Sequence, residues 1–461
     1  MNDILESING IVWGVPALIA ILGVGLYLSI KTGFVQIRLF PGAIKLLIDR
    51  IRRNKSDTTE NPSAYQAFCT ALGATVGTGN IAGVAGAIAL GGPGSVFWMW
   101  ISAILGMTTK FAEATLSVYC QVHKDSGEIV AGPMYNVRKL LEKKWESLSV
   151  MYCIFGVIAA FGVGNSVQIN AVMESFESVA ETLDWEWNTW VRIFVGLVLA
   201  MLIAMVLRGG AVGIGKIAER LVPFAALFYI ILCVGVLVAR RDRIFDAVRM
   251  IINGAFSPRA VTGGAIGSLL STMRVGISRG VFTNEAGLGT AGIAHGSAVV
   301  SHPCQQGMMG IMEVFLDTLV ICTLTALVIL CSNISIPYGT DPGVNLTTDG
   351  FSSVYGNWVA VPIAVSLILF AIATIVGWGL YGVRCTQFLF GDHALKPYLI
   401  LQVIVAFIGA IMHTDILWLW AETVNGLMMV PNLITLVKGC PVLVRITREY
   451  YWKIKQGRML E

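Results

Sequence analysis

Residues 70–94 read TALGATVGTGNIAGVAGAIALGGPG. This stretch is apolar and long enough to cross a bilayer, which takes about 20 residues. Its middle contains two polar side chains, Thr78 and Asn80, among four glycines: Gly73, Gly77, Gly79 and Gly83. Peptide groups that a helix break frees inside lipid must face protein or a cavity. The stretch therefore predicts either a membrane helix opened to hold a ligand or one whose glycines admit a neighbouring helix closely.

A second segment of the same kind runs from Gly276 to Gly292 and reads GISRGVFTNEAGLGTAG. Two interrupted helices in corresponding halves of a chain are typical of transporters that bind their substrate near the middle of the membrane. We predict that the second discontinuity lies within Ser271–Gly280, with Gly276 at its centre. Thr272 and Gly276 are then candidate substrate ligands.

The composition indicates an all-α polytopic membrane protein. The chain has 461 residues, a mean hydropathy of +0.74 and 13% charged residues, whereas soluble domains carry about 25%. Its clusters of basic residues lie in short loops between apolar stretches, so nucleic acid is not an expected partner, whereas membrane lipid is. The nine cysteines and five histidines contain no CxxC and no HExxH motif. We therefore interpret the cysteines as small buried side chains that form neither disulfides nor metal sites.

About eleven membrane spans are predicted between residues 11 and 437. Residues 11–30 form the first, and because acidic rather than basic residues precede it, we interpret it as a retained span and not a signal peptide. Seven Lys and Arg residues in the loop 31–62 and the basic tail predict an external N-terminus and a cytoplasmic C-terminus. The loop 240–259, with five arginines, disagrees with this orientation.

The spans divide the chain into four parts. Residues 1–62 hold the N-terminal span and a basic amphipathic cytoplasmic loop, and residues 438–461 form a basic cytoplasmic tail. Residues 63–239 and 262–437 each hold five spans and each begin with an interrupted helix, one within 63–90 and one within 262–296. Because five is odd, the second group is inverted relative to the first, as in many secondary transporters.

Four segments carry a family resemblance. They are GTGNIAGVAGAIALGGPGSVFWMW at 77–100, AGPMYNV at 131–137, RGVFTNEAGLGTAGIAH at 279–295 and HPCQQGMMGIMEVFLDT at 302–318. Together they resemble the signature of the alanine or glycine:cation symporters over about residues 60–440. The resemblance implies the LeuT-type fold of the amino acid–polyamine–organocation superfamily, a 5+5 inverted repeat with one additional N-terminal helix. It also implies import of small neutral amino acids driven by Na⁺, or by H⁺ in some members, across a bacterial inner membrane.

The same resemblance implies where the ligands bind. GTGN is similar to the break of the first core helix in LeuT-type symporters, which assigns substrate contacts to Gly77, Thr78, Gly79 and Asn80. Na⁺ would then bind the carbonyl groups of Gly73 and Val76, completed by an Ala-x-x-Thr pattern that Ala371 and Thr374 match. Ile375 departs from that pattern, since some relatives have Ser there. Taken from the residues alone, Asn80 could equally tie two helices together, and the Ala-x-x-Thr pattern could be helix packing.

Two further residues are predicted to shape the pocket. Gln168, in FGVGNSVQIN, lies on the third core helix, where its amide could contact a substrate carboxylate or amine. Trp378 lies four residues after Thr374 and shares its helix face. It could shorten the pocket, or it could belong to an interfacial aromatic belt.

Buried charges are expected to be functional in membranes, but their roles are left open by the sequence. Lys110 and Glu113 are spaced to pair on one helix face. Glu285 could form an ion pair with Arg274 or Arg279, or could relay protons. Asp317 shares a face with Glu313, and its role could be a helix-to-helix hydrogen bond.

The sequence therefore favours a secondary active symporter over an enzyme or a channel. No HExxH or P-loop motif indicates metal-dependent catalysis or ATP use. A channel could also contain helix breaks near the middle of the membrane. Alanine versus glycine, L versus D stereochemistry, Na⁺ versus H⁺ and the oligomeric state are not decided by these patterns.

Overall fold

The computed structural model describes residues 8–52, 61–257, 262, 268–411 and 415–456, without the side chains of 415–419 and 421. This described part is helical apart from turns and one antiparallel hairpin, in which Val122–His123 pairs with Ile129–Val130. Eight of its helical segments are long and apolar enough to cross a membrane: Ile8–Thr32, Lys143–Thr182, Thr189–Arg208, Gly210–Ala239, Pro303–Cys331, Asn357–Phe390, Asp392–Ile411 and Glu422–Lys455. Two interrupted helices and the helix Ser95–Tyr119 occupy the remaining predicted spans.

The helices are numbered in chain order. Those of the N-terminal half are α1 (Val15–Thr32), α2 (Val35–Arg38), α3 (Phe40–Arg52), α4 (Ala64–Thr75), α5 (Ala82–Gly91), α6 (Ser95–Tyr119), α7 (Pro133–Leu140), α8 (Glu146–Phe161), α9 (Val167–Thr182), α10 (Thr189–Arg208), α11 (Gly210–Ala239) and α12 (Ile244–Phe256). Those of the C-terminal half are α13 (Leu269–Asn284), α14 (Thr290–Gly296), α15 (Pro303–Val314), α16 (Thr323–Cys331), α17 (Asn345–Tyr355), α18 (Ala360–Phe390), α19 (Leu395–Ile411), α20 (Asp415–Leu427) and α21 (Met429–Lys455). Short π-helical segments, Gly162–Ser166 and Phe315–Cys322, join α8 to α9 and α15 to α16.

The first interruption lies where the sequence predicts it, between α4 and α5. A capping box begins α4, because the Ser63 hydroxyl accepts a hydrogen bond from the backbone N–H of Gln66 and the Gln66 side chain accepts one from the N–H of Ser63. After Thr75 the chain becomes extended at Val76 and Gly77, and one turn of 3₁₀-helix follows at Thr78–Asn80. The extended residues leave carbonyl groups without a helical partner in the middle of the protein.

The second interruption is at residues 285–289, and the prediction that Gly276 is its centre is wrong. Helix α13 continues through Gly276 and ends at Asn284. The next residues have positive φ angles, 54° at Glu285, 102° at Gly287 and 83° at Gly289, which no helix tolerates.

Gly276 is instead a packing glycine. A Cβ atom there would lie 2.2 Å from the carbonyl oxygen of Ser95, so α13 and α6 approach closely at this point. Thr272 lies about three helical turns before the break. Neither Thr272 nor Gly276 therefore belongs to the interruption, and both lose their assignment as substrate ligands.

Helices α4 and α18 pack against each other and against α11, whereas α6 packs on α13, α14 and α15. The additional N-terminal helix, α1, lies against α6 and α21. Helix α21 continues from Met429 to Lys455, so the predicted division between residues 437 and 438 falls inside it. Its second half is packed as well, since Cys440, Leu443 and Ile446 are buried.

The packing role of Gly276 predicts that Gly276→Ala lowers the thermal stability of the detergent-solubilised protein. The added methyl group would meet a backbone oxygen, which cannot rotate away, and overpacking of this kind costs about 1–3 kcal/mol. The matched control is Gly23→Ala on an exposed face of α1, where a Cβ meets no atom within 4 Å. Equal unfolding temperatures for the two variants would contradict the packing role.

Candidate functional site

A cluster of oxygen atoms joins α4 to α18 beside the first break. The Thr374 hydroxyl oxygen lies 3.3 Å from the carbonyl oxygen of Gly73 and 3.4 Å from that of Val76. Ala371 is buried one turn earlier on the same helix. Gly73 and Val76 in the first interrupted helix and Thr374, about 300 residues later in the chain, thus meet at one point, as predicted. Carbonyl and hydroxyl oxygens are the ligands that hard cations such as Na⁺ prefer.

Small residues bring these two helices together. A Cβ atom at Gly377 of α18 would lie 2.6 Å from the Cβ of Ala74 and 2.9 Å from the carbonyl oxygen of Thr70, both on α4. Larger residues at these positions would separate the helices. The oxygen cluster therefore depends on the same small-residue contact that holds α4 against α18.

Gln168 reaches the first break from α9. Its Nε2 donates a hydrogen bond of 3.2 Å to the carbonyl oxygen of Val163, and its Oε1 lies 3.8 Å from the position of a Cβ on Gly77. This Oε1 atom is buried and has no hydrogen-bond partner in the described part of the chain. An unpaired buried acceptor is unfavourable unless a ligand supplies the donor. Gln168 thus keeps its predicted place beside the break.

Asn80 ties the first break to a neighbouring helix. Its Oδ1 accepts a hydrogen bond of 2.9 Å from the N–H of Gly77, and its Nδ2 donates one of 2.7 Å to Oδ1 of Asp317. The other carboxylate oxygen of Asp317 accepts a bond of 2.7 Å from the hydroxyl of Thr318. Asn284, the last residue of α13, donates to that same hydroxyl at 3.2 Å. One buried polar chain therefore connects the two helix breaks.

Glu113 holds the second break, and its predicted pairing with Lys110 does not form. Its Oε1 accepts hydrogen bonds from the N–H groups of Gly287 at 2.9 Å and Gly289 at 3.1 Å. The amide of Asn432 donates to the same oxygen at 2.7 Å and also to the carbonyl of Gly287 at 2.9 Å. Helices α6 and α21 thus fix the unwound backbone between α13 and α14.

Lys110 instead pairs with Glu313 on α15. The Nζ atom lies 2.7 Å from Oε1 of Glu313, and both side chains are fully buried. The other oxygen of Glu313 is 3.0 Å from Nε2 of His295, whose Nδ1 is 2.7 Å from Oε1 of Gln306. Gln306 in turn donates at 3.1 Å to the carbonyl oxygen of Ala64, the first residue of α4. His295 and Gln306 were not predicted as site residues, although both lie within the motifs quoted above.

Glu285 has no arginine partner among the described residues, so the predicted ion pair is wrong. Its Oε1 accepts a hydrogen bond of 3.0 Å from the indole N–H of Trp378, and its Oε2 accepts one of 2.7 Å from the hydroxyl of Thr290. Arg279 pairs with Asp341 at 3.1 Å. Trp378 is completely buried, which excludes an interfacial belt, and it packs against Gly164.

Comparisons with known proteins show which family the chain resembles. The family model described as the sodium:alanine symporter family matches residues 1–461. The sodium/alanine symporter AgcS of Methanococcus maripaludis is 39% identical over 454 residues, which cover 97% of each chain. The probable sodium/glutamine symporter GlnT of Bacillus subtilis is 34% identical over 467 residues, covering 99% of this chain and 93% of its own.

A solved structure supports the fold. The crystal structure of MhsT in complex with L-phenylalanine superposes with a TM-score of 0.58, covering 85% of this chain and 99% of MhsT. The sequences are 14% identical, so the likeness concerns the fold alone. MhsT has the LeuT-type fold, which confirms the fold class predicted above.

The hydrogen bond between Asn80 and Asp317 can be tested with two substitutions, the second of which should partly reverse the effect of the first. Asn80→Asp would place two carboxylates face to face in a buried position, and we expect it to abolish substrate uptake and lower the unfolding temperature. Adding Asp317→Asn recreates the same amide–carboxylate pair with its members exchanged, because an aspartate at position 80 can still accept from Gly77. Both quantities should recover in part, and a double variant no better than Asn80→Asp would contradict a direct bond.

Proposed function

Because the chain belongs to the sodium:alanine symporter family, we propose that it imports small neutral amino acids, alanine and glycine foremost, together with Na⁺. It is an integral membrane transporter of a family of sodium-coupled amino acid symporters. The observation that carries the proposal is the convergence of the Thr374 hydroxyl on the carbonyl oxygens of Gly73 and Val76, next to the first helix break.

In this proposal Na⁺ is a co-substrate bound between α4 and α18. Its ligands are the carbonyl oxygens of Gly73, Val76 and Ala371 and the hydroxyl of Thr374. Because the ion bridges two helices, its binding fixes the broken helix in the conformation that receives the amino acid. Each ligand then raises the affinity for the other by the same factor. Ile375 adds no oxygen to this set, so a proton-coupled permease of the same fold is the alternative.

The amino acid occupies the break itself. Helix α5 begins at Ala82 and directs its N-terminal N–H groups towards Gly77–Asn80, which favours the substrate carboxylate there. The free Oε1 of Gln168 is an acceptor for the ammonium group. Trp378 closes the far side of the pocket and favours a short side chain. The substrate residues of this proposal are therefore Gly77, Thr78, Gly79, Asn80, Gln168 and Trp378.

In the fold built from the two repeats, 63–239 and 262–437, transport follows from one helix bundle rocking against a scaffold around this site. In a bacterial inner membrane with the N-terminus outside and the C-terminus in the cytoplasm, Na⁺ enters down its gradient. One positive charge moving through 100 mV releases about 2.3 kcal/mol, which is enough for roughly fiftyfold accumulation of the amino acid.

The direct test is uptake of labelled alanine into proteoliposomes that contain the purified protein. An inward Na⁺ gradient should drive accumulation above the external concentration, and replacing Na⁺ by choline should reduce uptake to that of empty liposomes. A pH gradient without Na⁺ serves as the control for proton coupling. Accumulation that requires only the pH gradient would show that protons are the coupling ion. Alanine uptake that never exceeds the external concentration would indicate a channel.

The cation assignment predicts a change at Thr374. Thr374→Ala removes one of four oxygen ligands and should raise the Na⁺ concentration for half-maximal alanine uptake about tenfold or more, which corresponds to the loss of about 1.4 kcal/mol. Thr374→Ser keeps the hydroxyl and should remain within about threefold of the unmodified protein. An unchanged Na⁺ dependence in the alanine variant would remove Thr374 from the site.

A further inference from the structure

A basic cavity lies outside the helices that form the substrate site. It has a volume of about 360 Å³ and is formed where the end of α1 and the turn after it meet α21. Three of its lining side chains are cationic, Lys31, Arg38 and Arg448, and none of its lining residues is acidic. Thr447 and Tyr451 add hydroxyl groups at its wall.

No carboxylate among the described residues pairs with the cationic side chains of this cavity. Lys31, Arg38 and Arg448 form no ion pair with any described residue. Glu449, which follows Arg448 in the sequence, forms an ion pair with Lys453, in which Oε1 and Nζ are 2.8 Å apart.

Aromatic packing positions Arg38 at the cavity, and helix geometry places Arg448 on the same face of α21 as Tyr451. The guanidinium of Arg38 lies 4.1 Å from the ring centre of Tyr451 and donates to the carbonyl oxygen of Gly33 at 3.4 Å. Arg448, Thr447 and Tyr451 share one face of α21, because residues three and four apart on a helix are neighbours. The cavity therefore presents cationic side chains to an anion.

The neighbouring surface is apolar and exposed. Ile30 is 60% exposed, Phe34 45% and Ile37 64%, and all three lie at the end of α1 or just beyond it. Helix α3, which follows in the chain, also has exposed isoleucines at positions 44, 48 and 51, which are spaced to lie on one face. A soluble anion would gain nothing from such a surface, whereas the acyl chains of a lipid would cover it.

We propose that this cavity binds the phosphodiester headgroup of an anionic phospholipid in the cytoplasmic leaflet. Arginine guanidinium groups match phosphate oxygens in pairs, so Arg38 and Arg448 hold the phosphate and Lys31 adds charge. The acyl chains run along Ile30, Phe34 and Ile37. Basic pockets between membrane helices on the cytoplasmic side are suited to such headgroups. The bound lipid would link the additional helix α1 to α21.

The test is a titration of the full-length protein, in neutral detergent, with phosphatidylglycerol and separately with phosphatidylcholine, followed by native mass spectrometry. We expect phosphatidylglycerol to bind more tightly to the unmodified protein. Arg448→Gln should weaken its binding about fivefold, and Lys31→Gln combined with Arg448→Gln about twenty-five-fold, as expected for one or two basic side chains at a membrane surface. Lys455→Gln, at an exposed position on the same helix beyond the cavity, should change it less than twofold.

Two results would overturn the proposal. One is equal phosphatidylglycerol affinity for Arg448→Gln and Lys455→Gln at matched unfolding temperatures. The other comes from adding millimolar inorganic phosphate to the complex. If phosphate displaces phosphatidylglycerol from the unmodified protein, the cavity is a site for free phosphate rather than for lipid. Neither result bears on sodium-driven uptake, so this proposal and the transport function fail independently.

Discussion

The structure depends on one constraint, which is that peptide groups released by a helix break have no water to bond inside a membrane. The two breaks meet this constraint with side chains from other parts of the chain. The amide of Asn80 accepts from the N–H of Gly77, and the carboxylate of Glu113 accepts from Gly287 and Gly289. The hydroxyl oxygen of Thr374 lies 3.3 Å and 3.4 Å from the carbonyl oxygens of Gly73 and Val76, and a cation bound there would satisfy these carbonyl groups.

The partners of the two breaks form one network. Asn80 leads through Asp317 and Thr318 to Asn284 at the end of α13. Hydrogen bonds in a medium of low dielectric strengthen each other, and losing one member leaves buried polar groups unpaired. A ligand that displaces any member of this network therefore affects both breaks together, which suits a protein that must couple the binding of two solutes.

How well the sequence predicted each feature depended on whether its cause is local. GTGN at 77–80 combines glycines with polar side chains and located the first break. Gly276, Gly287 and Gly289 are all glycines in an apolar stretch, and only the backbone angles separate the packing glycine from the two that turn the chain. The motif EAGLG at 285–289, with a carboxylate followed by two spaced glycines, was the available signal for the second break.

Side-chain partners were predicted less well, because they come from distant helices. Lys110 and Glu113 have ideal spacing for a pair, yet Lys110 bonds Glu313, which is 203 residues away. Helix spacing says which side chains can meet along one helix, and it contains no information about what the next helix presents. The position of Thr374 beside Gly73 and Val76 could be predicted because the order of spans, carried by the family resemblance, supplied that missing information.

The way in which the buried carboxylates are stabilised connects the fold to cation transport. Glu113 receives backbone N–H groups, Glu285 an indole N–H and Asp317 an amide N–H, so none of the three contacts a basic side chain. Of the four buried carboxylates around the breaks, Glu313 is the one that pairs with a lysine within the described part of the chain. Neutral donors offset part of the desolvation cost of a carboxylate but leave its charge uncompensated, whereas an ion pair would cancel the field. Wherever these carboxyl groups are ionised, their charge around both breaks favours the entry of a cation over that of an anion.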